Sequence, residues 1–268
     1  MNKTNDASLH SAFDTRHSAF RALLPSSLPA HVAIIMDGNR RWATSRGLAA
    51  VMGHDKAARD VIEPIIDRAI ELGIKFITFW AFSTENWKRD KAEIHALMGI
   101  FREGLETMGK KLHEKGVRLN MIGEMSKFPE DIQEKATRYV DISRGNKDIT
   151  VSFALNYGGR DEILRAIKKL VVELLKGPTL KNPRSVLNTI VTEEFFARFL
   201  DTAGIPDPDL IIRTGGEFRL SGYFPWQSVY SELYFTKALW PDFTPKEFDK
   251  ALADYENRER RFGGSGIK

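Results

Sequence analysis

The chain has 268 residues, enough for one large core or two modest ones, and its 42% hydrophobic and 28% charged residues are ordinary for a globular protein. No apolar run reaches the roughly 18 residues of a membrane span, no charged-then-apolar leader is visible, and the lack of cysteine excludes disulfides and thiolate metal sites, which fits a reducing cytoplasm. A formal charge of +4 suits an anionic substrate, an anionic lipid surface or nucleic acid and chooses among none of them.

Residues 1–28 are polar without a strong period and predict a loosely held arm, with Pro25-Ser26-Ser27-Leu28-Pro29 marking entry to a single domain over 29–268. Apolar runs then alternate with helical patterns. Strands are predicted at 31–36, 74–81, 117–122, 149–154 and 209–213; helices at about 54–72, 91–114, 129–142, 160–175, 193–200 and 245–261, the first bent by Pro64. That alternation predicts an α/β fold, a single mostly parallel β-sheet flanked by helices with right-handed crossovers. Gly177-Pro178 to Pro183 is a surface connection too short for a domain boundary, and there is no internal repeat.

Four strand ends carry polar, glycine- or amide-bearing clusters: Asp37-Gly38-Asn39-Arg40-Arg41, Ser83-Thr84-Glu85-Asn86-Trp87-Lys88-Arg89, Asn156-Tyr157-Gly158-Gly159-Arg160, and Arg213-Thr214-Gly215-Gly216-Glu217. In a parallel sheet these carboxyl ends share one edge, where ligands of open α/β sheets bind, so the clusters should converge. Gly38 lets backbone approach an anion, Arg40 and Arg41 can neutralise it, and an acid beside such a cradle makes sense if a metal bridges it to phosphate oxygens. The combination points to a diphosphate. Each cluster also has a plainer reading: Asp37-Gly38-Asn39 as a turn, His54 as a structural histidine, the 83–87 segment as a helix entry, and Asn156–Arg160 as a tight turn without Walker or Rossmann spacing. Arg213, Arg219 and Ser221 around paired glycines favour an anion site over an exposed basic loop. Glu232, one acid in an aromatic run, wants an arginine or a metal.

The helix at 91–114 carries an apolar stripe from Ile94 to Leu112, the mark of a core face. It also holds Gly99, Gly104 and Gly109, each costing about 1 kcal/mol against alanine. Three of them suggest a bend, or space for something elongated and apolar.

With these segments in view, the chain resembles the cis-prenyltransferases, the undecaprenyl diphosphate synthase family, from His31 to Gly264. The resemblance rests on Met36–Trp42, Gly53-His54, Phe82–Trp87, Asn156–Arg160, Arg213–Glu217, Trp226-Gln227-Ser228, Glu232–Phe235, Trp240–Phe243 and Arg258–Gly264, in order. It implies the family fold with an apolar tunnel, and Mg²⁺-dependent condensation of isopentenyl diphosphate onto an allylic diphosphate such as farnesyl diphosphate. By the same resemblance Asp37 and Asn86 are catalytic, and Gly38, Asn39, Arg40, Arg41, Trp42 and His54 hold the allylic diphosphate. Ser83, Glu85, Trp87 and Arg89 surround the reacting centre, while Arg213, Arg219 and Ser221 hold isopentenyl diphosphate. Asp37 and Glu232 engage Mg²⁺, Glu232 belonging to the dimer-forming region, and Arg261 and Gly263 reach a neighbouring active site in a homodimer. The small Ala81 leans towards a long product, undecaprenyl diphosphate first, with the enzyme cytoplasmic and touching the membrane peripherally. Two places depart from the family: its usual arginine before the Gly-His pair is Ala50, which Arg46 or Arg40 would have to replace, and its usual asparagine after Ser221 is Gly222. A non-catalytic partner subunit would lack the Asp37-type acid and its arginines, and a nucleic-acid binder would spread its basic groups over a face rather than strand ends, so no nucleic-acid partner is expected.

Overall fold

His31–Ile35 (β1) is five apolar or internally bonded residues in succession, all buried, as a strand covered on both faces requires. The computed structural model describes residues 28–176 and 191–259. The expected arm, the Gly177–Pro183 connection, Arg261 and Gly263 lie outside them, apart from Leu28. β1 joins Phe76–Ser83 (β2), Val117–Ile122 (β3), Ile149–Tyr157 (β4), Leu210–Arg213 (β5) and Glu232–Phe235 (β6). The six strands lie in the order β3-β4-β2-β1-β5-β6, and each neighbouring pair is parallel.

The helices are Asn39–Thr44 (α1), Ala50–Asp60 (α2), Ile62–Glu71 (α3), Lys91–Glu114 (α4), Glu130–Ile142 (α5), Gly159–Lys176 (α6), Glu193–Ala197 (α7) and Pro245–Glu256 (α8). Ile65, Ile66, Phe79, Trp240 and Phe248 anchor the largest core cluster, while Phe82, Leu97, Phe128 and Ile132 form another where α4 and α5 meet the sheet. No helix among the described residues is long and apolar enough to cross a membrane.

Several elements differ from the sequence pattern. The single bent helix expected at 54–72 is two helices, broken at Val61. Pro64 is the third residue of α3, where its missing amide costs no bond, and its ring excludes the carbonyl four residues back at Asp60. The Asn39-Arg40-Arg41-Trp42 segment, outside the helices expected, is helical. Glu232–Phe235, read as an aromatic run, is an edge strand. α7 stops at Ala197 and α8 at Glu256, short of the ends expected.

Register decides what the sheet brings together. Ile35 pairs with both Trp80 and Arg213, so β1, β2 and β5 end side by side. Glu232 pairs with Leu210 and Phe235 with Arg213, so Glu232 opens β6 at the opposite edge.

Candidate active site

Where β1 leaves the sheet, Asp37 is held from three directions. Its carbonyl accepts from Thr214 Oγ1 at 2.7 Å and from the Trp240 amide at 3.0 Å. One carboxylate oxygen accepts from the Arg213 guanidinium at 2.9 Å and the other from Arg41 at 3.3 Å. Arg213, the last residue of β5, is 5% exposed and also donates to Ser221 Oγ at 2.9 Å and to the Arg219 carbonyl. Buried this far, a guanidinium is stable only with such acceptors around it.

Gly38 follows with φ +108, a left-handed conformation that a side chain resists, and turns the chain into α1. Asn39, first in α1, donates to the Met36 carbonyl at 3.0 Å. In α2, Gly53 lies directly against the Asn39 carbonyl, where any Cβ would collide. That close approach carries the adjoining His54 to the mouth. His54 is held down to a pKa of about 4, first by burial and then by the positive charges of Arg89 and Arg40.

The end of β2 turns through a 3-10 segment, Thr84–Lys88, closed by a capping box in which Asn86 Oδ1 accepts from the Ser83 amide at 3.0 Å. Trp87 packs edge-on to Phe82 and Phe128 and donates its indole N–H to Asn156 Oδ1 at 2.8 Å. Asn156 has φ +47 and donates to the Glu124 carbonyl at 2.7 Å. The fourth cluster thus braces the second from behind rather than facing the ligand space.

These pieces surround one cavity of about 330 Å³. Asp37, Asn39, His54 and Arg213 line its mouth, with Ser83, Asn86, Arg89 and Ser221. Its body is apolar, including Ala81, Phe101, Leu105, Met108, Met121 and Phe153. Three clusters expected to converge therefore do, and the expected tunnel is present. Asn39 Oδ1, His54 Nε2, Arg213 Nε and Trp240 Nε1 are buried on this wall without a hydrogen-bond partner. Unpaired buried polar atoms are costly unless a ligand answers them, and four on one wall mark a binding site.

Other expected residues lie off the cavity wall. Arg40 is mostly exposed, 3.8 Å from Glu93, and Arg41 bridges Asp37 to Glu217. Trp42 is buried with its indole on Asp242 at 2.7 Å and Arg46 stacked above it, so it holds α1 in place. Glu85 is exposed beside Thr84, and the Arg219 side chain pairs with Glu217 at the rim. Within one chain Glu232 does not reach Asp37: it pairs with Arg258 at 2.8 Å at the other sheet edge. Among the described residues Asp37 is the one carboxylate on the cavity wall, and they contain no cluster of three or more potential metal ligands. That donor set fits Mg²⁺, which commonly takes one carboxylate and completes its shell with phosphate oxygens and water.

Sequence reasoning missed the bracing role of Asn156 and the lining by Ala58, Met121, Phe153 and Trp240. The turn-forming character of Asn156 does not say which segment its side chain braces, and lining residues from separate elements read simply as core.

A parallel sheet whose strand ends raise a cationic mouth over an apolar cavity suits a ligand with a charged head and an apolar body. The family model described as "Putative undecaprenyl diphosphate synthase" matches residues 35–263. An isoprenyl transferase of Clostridium perfringens is 43% identical over 90% of this chain and 92% of its own length, and that of Aquifex aeolicus 46% over 88% and 96%. Among solved structures, lavandulyl diphosphate synthase from Lavandula x intermedia in complex with dimethylallyl diphosphate superposes with TM-score 0.83 at 37% identity, covering 89% of this chain and all of that one. A probable undecaprenyl diphosphate synthase from Campylobacter jejuni gives 0.69 at 31%, covering 88% and 98%. The chain belongs to this family of prenyl-transferring enzymes, the cis-prenyltransferases.

Proposed function

We propose that this enzyme condenses isopentenyl diphosphate onto an allylic diphosphate, farnesyl diphosphate first, and repeats the addition to give a long Z-polyprenyl diphosphate, most naturally undecaprenyl diphosphate. The observation that carries the reading is the mouth itself: Asp37 against Arg213 at 2.9 Å, ringed by buried polar atoms that lack protein partners, above an apolar cavity.

In each addition a carbon–carbon bond forms at the allylic carbon, diphosphate leaves, and a proton is lost from the isopentenyl unit. Charge gathers on the departing diphosphate. The Asp37–Arg41 segment with His54 would hold the allylic head, and Arg213, Ser221 and Arg219 the isopentenyl diphosphate. Guanidinium forks suit both heads, since they meet phosphate oxygens in pairs. Mg²⁺ held at Asp37 would neutralise leaving-group charge. Asn86, Trp87 and Arg89 orient the reacting carbons, and Asn156 steadies that segment through Trp87. The apolar wall removes the growing tail from water.

The departure at Ala50 is best met by Arg40, because Arg46 is already engaged by Asp242 at 3.1 Å and by the Trp42 ring. Gly222 has φ +86, and asparagine tolerates that left-handed region better than other side chains, so either residue suits the turn after Ser221. For Glu232 to serve Mg²⁺, and for Arg261 and Gly263 to reach a neighbouring mouth, a second copy of the chain is required; a homodimer is part of the proposal. So is peripheral contact with the cytoplasmic face of a membrane, where a product this apolar would be delivered.

The test is the purified chain with farnesyl diphosphate, labelled isopentenyl diphosphate and Mg²⁺, its products resolved by chain length and double-bond geometry. Expected are Z-polyprenyl diphosphates. No incorporation would overturn the reading in favour of a non-catalytic partner subunit.

A further inference from the structure

Beside the tunnel, between α2 and α4, lies a second cavity of about 220 Å³. The two share a wall: Ala58 from α2 and Ile100, Gly104 and Met108 from α4 line both. Gly104 is its thin point. A Cβ placed there meets nothing within 4 Å, whereas one at Gly109 would press into the Tyr139 ring at 2.9 Å. Packing therefore explains Gly109 and leaves Gly104 unexplained, although glycine inside a helix is unfavourable. On the outer side, Arg59 of α2 donates to Glu103 of α4 at 2.8 Å and to Asp55 at 2.9 Å, tying the two helices together across the cavity. Farther along the same rim, Lys111 of α4 donates to Glu63 of α3 at 3.2 Å.

We propose that Ala58 and Gly104 form a side opening in the tunnel, that the cavity beyond receives the far, apolar end of the growing prenyl chain, and that the Arg59–Glu103 pair is its outer clasp. The inference rests on the function proposed above. With the diphosphate head fixed at the mouth, each addition drives the tail deeper, and a blind wall would stop it. An opening at Gly104 lets growth continue sideways over Ile100 and Met108. The rim charges neutralise one another, and the methylene stem of Arg59 offers the tail an apolar contact. Gly104 is thereby a residue that sets product length, acting on the tail and not on the reacting carbons.

The test compares Gly104→Val and Gly104→Phe with Gly99→Val. Gly99 lies in the same helix and also has open space around its Cβ, but it lines neither cavity. Products made from farnesyl and labelled isopentenyl diphosphate are sized by chromatography, and the rate of the first addition is measured separately. The Gly104 variants should make chains shorter by at least an isoprene unit with the first addition unchanged, while Gly99→Val should match the native protein. Arg59→Ala should broaden the distribution towards longer chains. Native product lengths from both Gly104 variants would overturn the side opening, and an unchanged distribution from Arg59→Ala would remove the clasp. A native protein that adds no isopentenyl unit would instead overturn the function on which this rests.

Discussion

Two buried polar clusters in this molecule are built on opposite plans. At the cavity mouth, Asn39, His54 and Arg213 each keep a buried polar atom without a protein partner. Around Glu162, by contrast, the bonds close on themselves: its carboxylate accepts from Tyr157 at 2.6 Å, from Gln227 and from the Asp201 amide at 2.9 Å, while Gln227 also donates to Thr202 at 3.0 Å. Arg165 then forks onto Asp201. In that second cluster Gln227 Oε1 alone is unanswered. A network satisfied internally serves the fold, and one left open serves a ligand.

The largest expected consequence is a loss of turnover without a loss of fold. Asp37→Asn, which keeps an oxygen to accept from Arg213, should lower kcat by about 10²–10³-fold or more, the usual scale for removing transition-state charge stabilisation, with an unchanged circular dichroism spectrum. Turnover within tenfold of native would sink the role of Asp37. Glu162→Ala should do the reverse, costing about 2–4 kcal/mol by stranding the Tyr157 and Gln227 donors while the folded fraction keeps its specific activity. Denaturant unfolding and an active-site titration separate these outcomes. Next in size, Arg213→Lys keeps the charge but loses the fork onto Asp37 and Ser221, and should raise KM for isopentenyl diphosphate by about tenfold. An unchanged KM would move that substrate elsewhere.

The clusters should also respond to pH with opposite sign. His54 titrates near 4 in the fold against an ordinary 6.5, so its contribution is complete above about 6.5 and is lost as pH falls towards 4, at most on the order of 3 kcal/mol. Burial raises the Glu162 carboxyl above its ordinary value, so its contribution is full below about 4.5 and is lost as pH rises through the raised pKa. Unfolding curves of His54→Asn and Glu162→Gln across pH 4–8 would show the native slope flattened at opposite ends; matching slopes would contradict the contrast.

Much of the mouth was legible because its signals are local. A buried strand must stop somewhere, and Asp37, Ser83 and Arg213 stand at such stops, which a parallel sheet then aligns. Glu232 shows where local signals end. Four residues of edge strand, none fully buried, carry no pattern that sets them on one sheet edge rather than the other. Its distance from Asp37 follows from β6 running parallel to β5 in a register that only coordinates reveal. The break at Val61 was misplaced for a similar reason, since Pro64 is as comfortable in the first turn of a new helix as at a bend in an old one. The tunnel was anticipated by the resemblance and by the glycines of α4, yet of those only Gly104 lies on it without a packing role.

The most direct test of the open mouth is a nuclear magnetic resonance titration of the His54 imidazole with and without inorganic diphosphate. In the free protein the ring should stay neutral down to a pKa of about 4, held there by burial and by Arg89 and Arg40. Diphosphate bound at those arginines should lift the pKa towards the ordinary value, because an adjacent anion favours the imidazolium. A His54 pKa that does not move at saturating diphosphate would contradict the claim that these unpaired groups await a phosphate head.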